Sequence, residues 1–187
     1  MRTVVAVEEW NAHYAAGHDF RPVTSEEKTA FGLNVGSGEG RSALDIGCGT
    51  GGFASFLRDQ GYSVTGVDYA REAISMATAR HGSAACLSFR HWNAESGSWP
   101  ELPSYDLISC RLSYAFIQKK AEFLERVKSR LSPRGIFYVM TPHTDKLPLS
   151  RSGIGVSLEE VEELCRGWSC VKDWVLDAQN VCYALTL

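Results

Sequence analysis

No stretch of the sequence approaches the roughly 20 consecutive apolar residues that a membrane-spanning helix requires, and no run of Lys or Arg marks a nucleic-acid-binding face. The 19 basic and 22 acidic residues leave a formal net charge of -3. An acidic surface repels polyanions at long range, so DNA and RNA are not the expected partners. No C-x-x-C pair occurs either. Cys48, Cys86, Cys110, Cys165, Cys170 and Cys182 stand apart, with no His at metal-ligand spacing, so no metal site is expected. After Arg2, the apolar run Val4 to Val7 meets Glu8 and Glu9 before the core of a signal peptide could form. Free thiols without an export signal lead to the expectation of a cytoplasmic protein. Internal repeats, low-complexity tracts and a linker are also missing, so a single compact domain is expected.

What is present is an ordinary globular composition: 187 residues, 44% hydrophobic and 22% charged, enough chain to bury a core without disulfides. Along the middle, short β-type runs alternate with helical patterns, which implies a parallel sheet with helices packed on it. The runs 41–46, 62–67, 86–92, 105–110 and 136–141 read as five strands. Segments 53–60, 71–80 and 121–131 read as helices between them, with a loop through Gly97, Pro100 and Pro103. The turn Ser132-Pro133-Arg134-Gly135 is expected to end the third of these helices. Ser157 caps a further helix over 158–166. The runs 169–176 and 181–187 then form a hairpin, because the four residues between them are too few for a crossover, and this brings in one antiparallel strand. The first 35 residues read as two helices, 7–16 and 25–33, broken at Gly17 and Pro22 and lying outside the repeating pattern.

Chemistry concentrates where the first strand meets the first internal helix. In Leu44-Asp45-Ile46-Gly47-Cys48-Gly49-Thr50-Gly51-Gly52, the glycines at 47, 49 and 52 fit the G-x-G-x-x-G fingerprint of dinucleotide sites, so NAD is one possible ligand. Asp45 argues the other way. A carboxylate beside a pyrophosphate is repelled, whereas beside an ammonium or sulfonium it is attracted. Asp68 ends the second strand about 20 residues on, at the position from which a carboxylate accepts both ribose hydroxyls of either ligand. Asp68 also reads as a helix N-cap, and Tyr69 as either an adenine-stacking ring or core.

These residues resemble the class I S-adenosylmethionine-dependent methyltransferases. Asp45, Gly47, Gly49 and Gly51 occupy every position of that family's acid-x-Gly-x-Gly-x-Gly motif, and Asp68 with Tyr69 stands where its second motif is expected. The resemblance implies a Rossmann-like α/β fold, a three-layer αβα sandwich around a seven-stranded, mostly parallel sheet of order 3-2-1-4-5-7-6 with one antiparallel strand. It implies S-adenosylmethionine as cofactor. The adenine would meet Asn93 and Ala94, with Asn replacing the family's usual Asp, and the methionine ammonium would meet backbone carbonyls near Cys110 and Arg111. Cys48 lies inside the same loop. Trp10 to Gly17 is similar to the lid helix of small-molecule methyltransferases, so residues 1–35 are expected to form a helical lid over a domain at 36–187. Overall the chain looks most like the short tellurite-resistance and thiopurine methyltransferases, including Gly167-Trp168 before the penultimate strand. Nucleic-acid amino-methyltransferases carry Asn/Asp-Pro-Pro-aromatic where this chain has Cys110-Arg111-Leu112-Ser113.

Methyl transfer from a sulfonium needs alignment and exclusion of water more than a fixed catalytic triad. A base is needed only for an acceptor that must lose a proton. The candidates are His13, Tyr14, Tyr114 and His143, in segments expected to meet above the strand ends. Relatives with a substrate domain insert it near the fifth strand, where this chain has only 142–156. That favours a small-molecule acceptor with an O, S or N nucleophile in a pocket rimmed by Pro142, His143, Pro148, Arg151 and Gly153. A protein, peptide or RNA acceptor and a non-catalytic ligand-binding module are the alternatives.

Overall fold

The computed structural model describes residues 5–96, 99 and 104–187. The loop expected through Gly97, Pro100 and Pro103 lies outside the described residues. Two helices come first, α1 (Val7–Ala15) and α2 (Ser25–Asn34), the second capped by the Thr24 hydroxyl accepting from Glu27 N–H. Then strands and helices alternate: β1 (Ser42–Ile46), α3 (Gly52–Asp59), β2 (Ser63–Asp68), α4 (Arg71–His81), β3 (Leu87–His91), β4 (Tyr105–Arg111), α5 (Lys120–Arg130) and β5 (Leu131–Pro142). Two 3₁₀ turns lead to α6 (Leu158–Cys165), which a reciprocal Ser157–Glu160 capping box starts. The hairpin β6 (Cys170–Val175) and β7 (Asn180–Thr186) closes the sheet.

The seven strands lie in the order β3-β2-β1-β4-β5-β7-β6, with β7 antiparallel to both neighbours and the remaining pairs parallel. Side chains alternate across this sheet, so each face feeds its own core. Phe31 of α2 and Phe53, Phe56 and Leu57 of α3 pack with Leu107, Tyr138 and Met140 on one side. Phe123, Leu124 and Val127 of α5 and Leu164 of α6 pack with Ile108, Cys110, Phe137 and Val139 on the other. The expected three layers are therefore present.

One boundary differs from expectation. The turn at 132–135 is part of β5, because Tyr105 pairs with Leu131 while Leu107 pairs with Ile136. The extra residues bulge out of the ladder. A Cβ on Gly135 would stand 2.8 Å from the Tyr105 carbonyl oxygen, so only glycine lets the strand pass this close.

Strand order reverses between β1 and β4, which leaves a crevice outside the carboxyl ends of those strands. The N-terminal segment crosses this crevice. Phe31 is fully buried between the Phe53, Phe56 and Tyr138 rings, so α2 belongs to the main core. α1 instead packs on α4, through Tyr14 against Ala70 and Ala73.

Candidate functional site

A cavity of about 740 Å³ occupies the crevice, within the roughly 300–1,000 Å³ usual for ligand pockets. The glycine loop forms its floor. Gly47 and Gly49 sit at φ +72° and +53°, left-handed values at which other residues are strained, and this turns the chain from β1 into α3 with its backbone bared to the cavity. Gly51, at φ +85°, does not line the cavity as expected. Its missing side chain makes room for Phe89, whose Cζ would lie 2.7 Å from a Cβ there.

Asp68 ties the loop down. One carboxylate oxygen accepts from Gly49 N–H at 3.0 Å and the other from Ala70 N–H at 2.9 Å; Asp68 thus holds the loop and the turn before α4, while the N-cap itself is Ala70, not Asp68 as expected. Burial raises its pKa. Tyr69, Asn93 and Ala94 line the cavity beside it. Asn93 Oδ1 already accepts from Glu95 N–H at 2.9 Å, leaving one lone pair for a ligand.

Asp45 decides what the floor can hold. It is fully enclosed, and its Oδ1 accepts from Ser109 Oγ at 2.7 Å. Its Oδ2 is buried with no partner. Burial pushes its pKa up to about 7. A buried acceptor without a donor is costly unless a ligand supplies one. On the cavity wall beside the glycine loop, this orphaned oxygen fits a cationic N–H group and disfavours a phosphate.

Comparison with known proteins agrees. A family model described as a methyltransferase domain matches residues 11–182. The chain belongs to this methyltransferase family. Among curated proteins it is similar to the ubiquinone biosynthesis O-methyltransferase of Paraburkholderia phytofirmans, 24% identical over 132 residues that make up 70% of this chain and 55% of that one. The chain thus spans about half the length of the curated relatives it matches. Among solved structures it resembles the N-methyltransferase NodS of Bradyrhizobium japonicum in complex with S-adenosyl-L-homocysteine, with TM-score 0.75, 17% identity and coverage of 96% of each chain. It also resembles the plantazolicin methyltransferase BpumL in complex with the same molecule, with TM-score 0.71, 18% identity and coverage of 96% of this chain and 89% of that one.

In this family member the far wall comes from β4, β5 and the hairpin turn. Cys110 is enclosed in the core and does not reach the cavity; the wall there is Arg111, Leu112 and Ser113. Leu112 holds φ +60°, uncommon for a branched side chain. At the next residue, Ser113 Oγ donates to the Ile46 carbonyl at 2.7 Å, bracing β4 against the end of β1. The Arg111 guanidinium does not reach for a substrate. It is spent on Glu27 and on the carbonyls of Arg21 and Pro22. Glu27 raises the Arg111 pKa despite the burial that lowers it.

Of the four base candidates, only Tyr14 lines the cavity. Its hydroxyl would lie 3.0 Å from a Cβ on Gly49, and burial, then Asp68, drive its pKa far above the usual phenol range. Tyr14 is therefore a proton donor at neutral pH, not a base. Tyr114 is fully buried behind the sheet, beneath Lys120 and against Phe123. His143 turns away and shares a hydrogen bond of 2.7 Å with the Tyr183 hydroxyl. His13 stacks on Phe20, with Nε2 buried and unpartnered but off the cavity wall. A strand-end position brought Tyr114 and His143 near the crevice without fixing which way they point.

Sequence reasoning missed the strap between α1 and α2. Asp19 accepts from Thr50 Oγ1 at 2.8 Å and pairs with Arg80 of α4, while Arg21 pairs with Asp177 of the hairpin turn at 2.5 Å. The only local signal was an Asp-Phe-Arg run in the break between two helices.

Proposed function

We propose that this chain transfers a methyl group from S-adenosylmethionine to an oxygen, sulfur or nitrogen atom of a small molecule. The observation that carries the reading is the unpartnered Asp45 Oδ2, buried on the wall of the same cavity as Asp68 and the glycine loop. Asp45, Gly47, Cys48 and Gly49 would receive the methionine half, and Asp68, Tyr69, Asn93 and Ala94 the adenosyl half. Bound there, the sulfonium supplies an already activated methyl group. The protein's own part is to hold the acceptor in line and keep water out. Tyr14 and Trp10 cover the loop, and with the strap over residues 17–24 they form the covering part of an N-terminal segment at 1–35, whose α2 is anchored in the core of a domain at 36–187. An enclosed cavity under such a cover suits a small acceptor better than a nucleic acid or a protein surface. No helix among the described residues is long and apolar enough to cross a membrane, and all six cysteines are free; we assign the protein to the cytoplasm on that basis.

Calorimetry with S-adenosylhomocysteine and NAD tests the site directly. The adenosyl product should bind and NAD should not; tighter binding of NAD would sink the reading. Transfer of labelled methyl from S-adenosylmethionine to a panel of small O, S and N nucleophiles then tests catalysis.

A further inference from the structure

Most charged side chains on the cavity wall are already matched: Asp19 with Arg80, Arg21 with Asp177, Arg111 with Glu27, and Asp59 with Arg58. Asp68 and Glu95 accept from backbone N–H groups. Among the described residues, two cations on the wall are not matched. Lys28 of α2 has no carboxylate partner, and its ammonium lies 5.9 Å over the Phe56 ring. Arg151 stands on the 3₁₀ turn Leu149–Ile154, and only its backbone N–H makes a hydrogen bond, to the Pro148 carbonyl. A third donor is unspent, the buried indole N–H of Trp10. The donor molecule's single carboxylate can engage one of these three, which leaves at least one cationic side chain unpaired on a wall that also carries Phe20, Phe53, Leu147 and Ile154.

We propose that the methyl acceptor is an anionic small molecule with an apolar or aromatic body, its anionic group held by Arg151 in the field of Lys28. The inference rests on the methyltransferase reading of the same cavity and adds the chemical class of the acceptor. Arg151 offers a fork of N–H donors suited to a carboxylate or phosphate. The rings and aliphatic side chains beside it remove the apolar body from water. Both cations are exposed, so exchanging them for Gln leaves the core untouched.

The probes are 2-naphthoate and its neutral counterpart 2-naphthamide, titrated into protein saturated with S-adenosylhomocysteine. Naphthoate should bind more tightly, with an affinity that falls as salt rises. Exposed or half-exposed ion pairs are worth about 0.2–1 kcal/mol, so in protein kept saturated with S-adenosylhomocysteine, Arg151→Gln and Lys28→Gln should each weaken naphthoate by up to about fivefold and leave naphthamide unchanged. Equal affinity for the two probes, or an equal loss for both in the variants, overturns the anionic-acceptor proposal while the cofactor reading stands. Failure of S-adenosylhomocysteine itself to bind removes the cofactor reading, and this proposal with it.

Discussion

Arg111 at the end of β4 and Glu27 in the first turn of α2 form a bidentate ion pair, Nε to Oε1 at 2.6 Å and Nη2 to Oε2 at 2.9 Å. Both side chains are out of solvent, at 9% and 1% exposed. The remaining guanidinium donors hold the carbonyls of Arg21 and Pro22, so one side chain fixes α2 and the strap together above the cavity.

Breaking that pair from one side should therefore be expensive. Glu27→Ala leaves a buried guanidinium without its counter-charge, at a cost of about 3–5 kcal/mol, readable in urea denaturation. The double variant Glu27→Leu/Arg111→Met, which leaves no lone charge, should be less damaged than either single one. It should still release S-adenosylhomocysteine faster, because the strap carbonyls have lost their anchor. A double variant as unstable as the sum of the singles would mean that the two residues act separately.

The glycines of the loop should separate into two kinds. A Cβ at Gly47 would lie 2.5 Å from Ser113 Cβ, between two segments that the Ser113–Ile46 hydrogen bond holds together, so Gly47→Ala should lower the unfolding midpoint. At Gly49 the nearest atom is the Tyr14 hydroxyl, 3.0 Å away at the end of a side chain on α1. Gly49→Val should keep the fold but abolish S-adenosylhomocysteine binding, because the branched side chain enters the cavity and displaces Tyr14. Near-normal affinity in Gly49→Val would refute the loop's role.

The sheet, its order and the glycine loop were legible because their signals are local: period-2 and period-3.6 patterns, turn residues, and an acid fixed two positions before a glycine. Side-chain direction was less so. Tyr114 and His143 follow strand ends, yet one points into the core behind the sheet and the other toward Tyr183. Gly51 matched a binding motif by spacing, while its place in the fold is to admit Phe89. Glu27 was invisible as a functional residue. In sequence it is one of two acids in a helix's first turn, and its meaning arises only from Arg111, 84 positions away.

Asp68 carries two structural bonds besides the ribose contact proposed for it. Asp68→Ala would leave the Gly49 and Ala70 N–H groups unpartnered, so it should cost both stability and affinity, the latter by about 1.5–3 kcal/mol for a lost charge-assisted bond. Asp68→Asn retains one acceptor oxygen and should recover part of the stability but little of the affinity. Thermal melts alongside calorimetry separate the two. If Asn restored both equally, the carboxylate's charge would have no part in binding.

Asp45 should make ligand binding depend on pH. Its pKa stands at about 7, raised from 3.8 by burial. The folded protein therefore holds a proton that the unfolded chain has released, and without ligand its stability falls as pH rises from about 4 to 7, then levels. A ligand ammonium meeting Oδ2 favours the ionised form, so binding must expel that proton below pH 7. Affinity for S-adenosylhomocysteine should rise by up to about tenfold per pH unit toward 7 and flatten above it. Calorimetry at pH 6 in buffers of different ionisation enthalpy should show close to one proton released, a release that disappears in Asp45→Asn. Binding that ignores pH between 5 and 7 would mean that Asp45 is already ionised without ligand, and that its unpartnered oxygen is not the ammonium's seat.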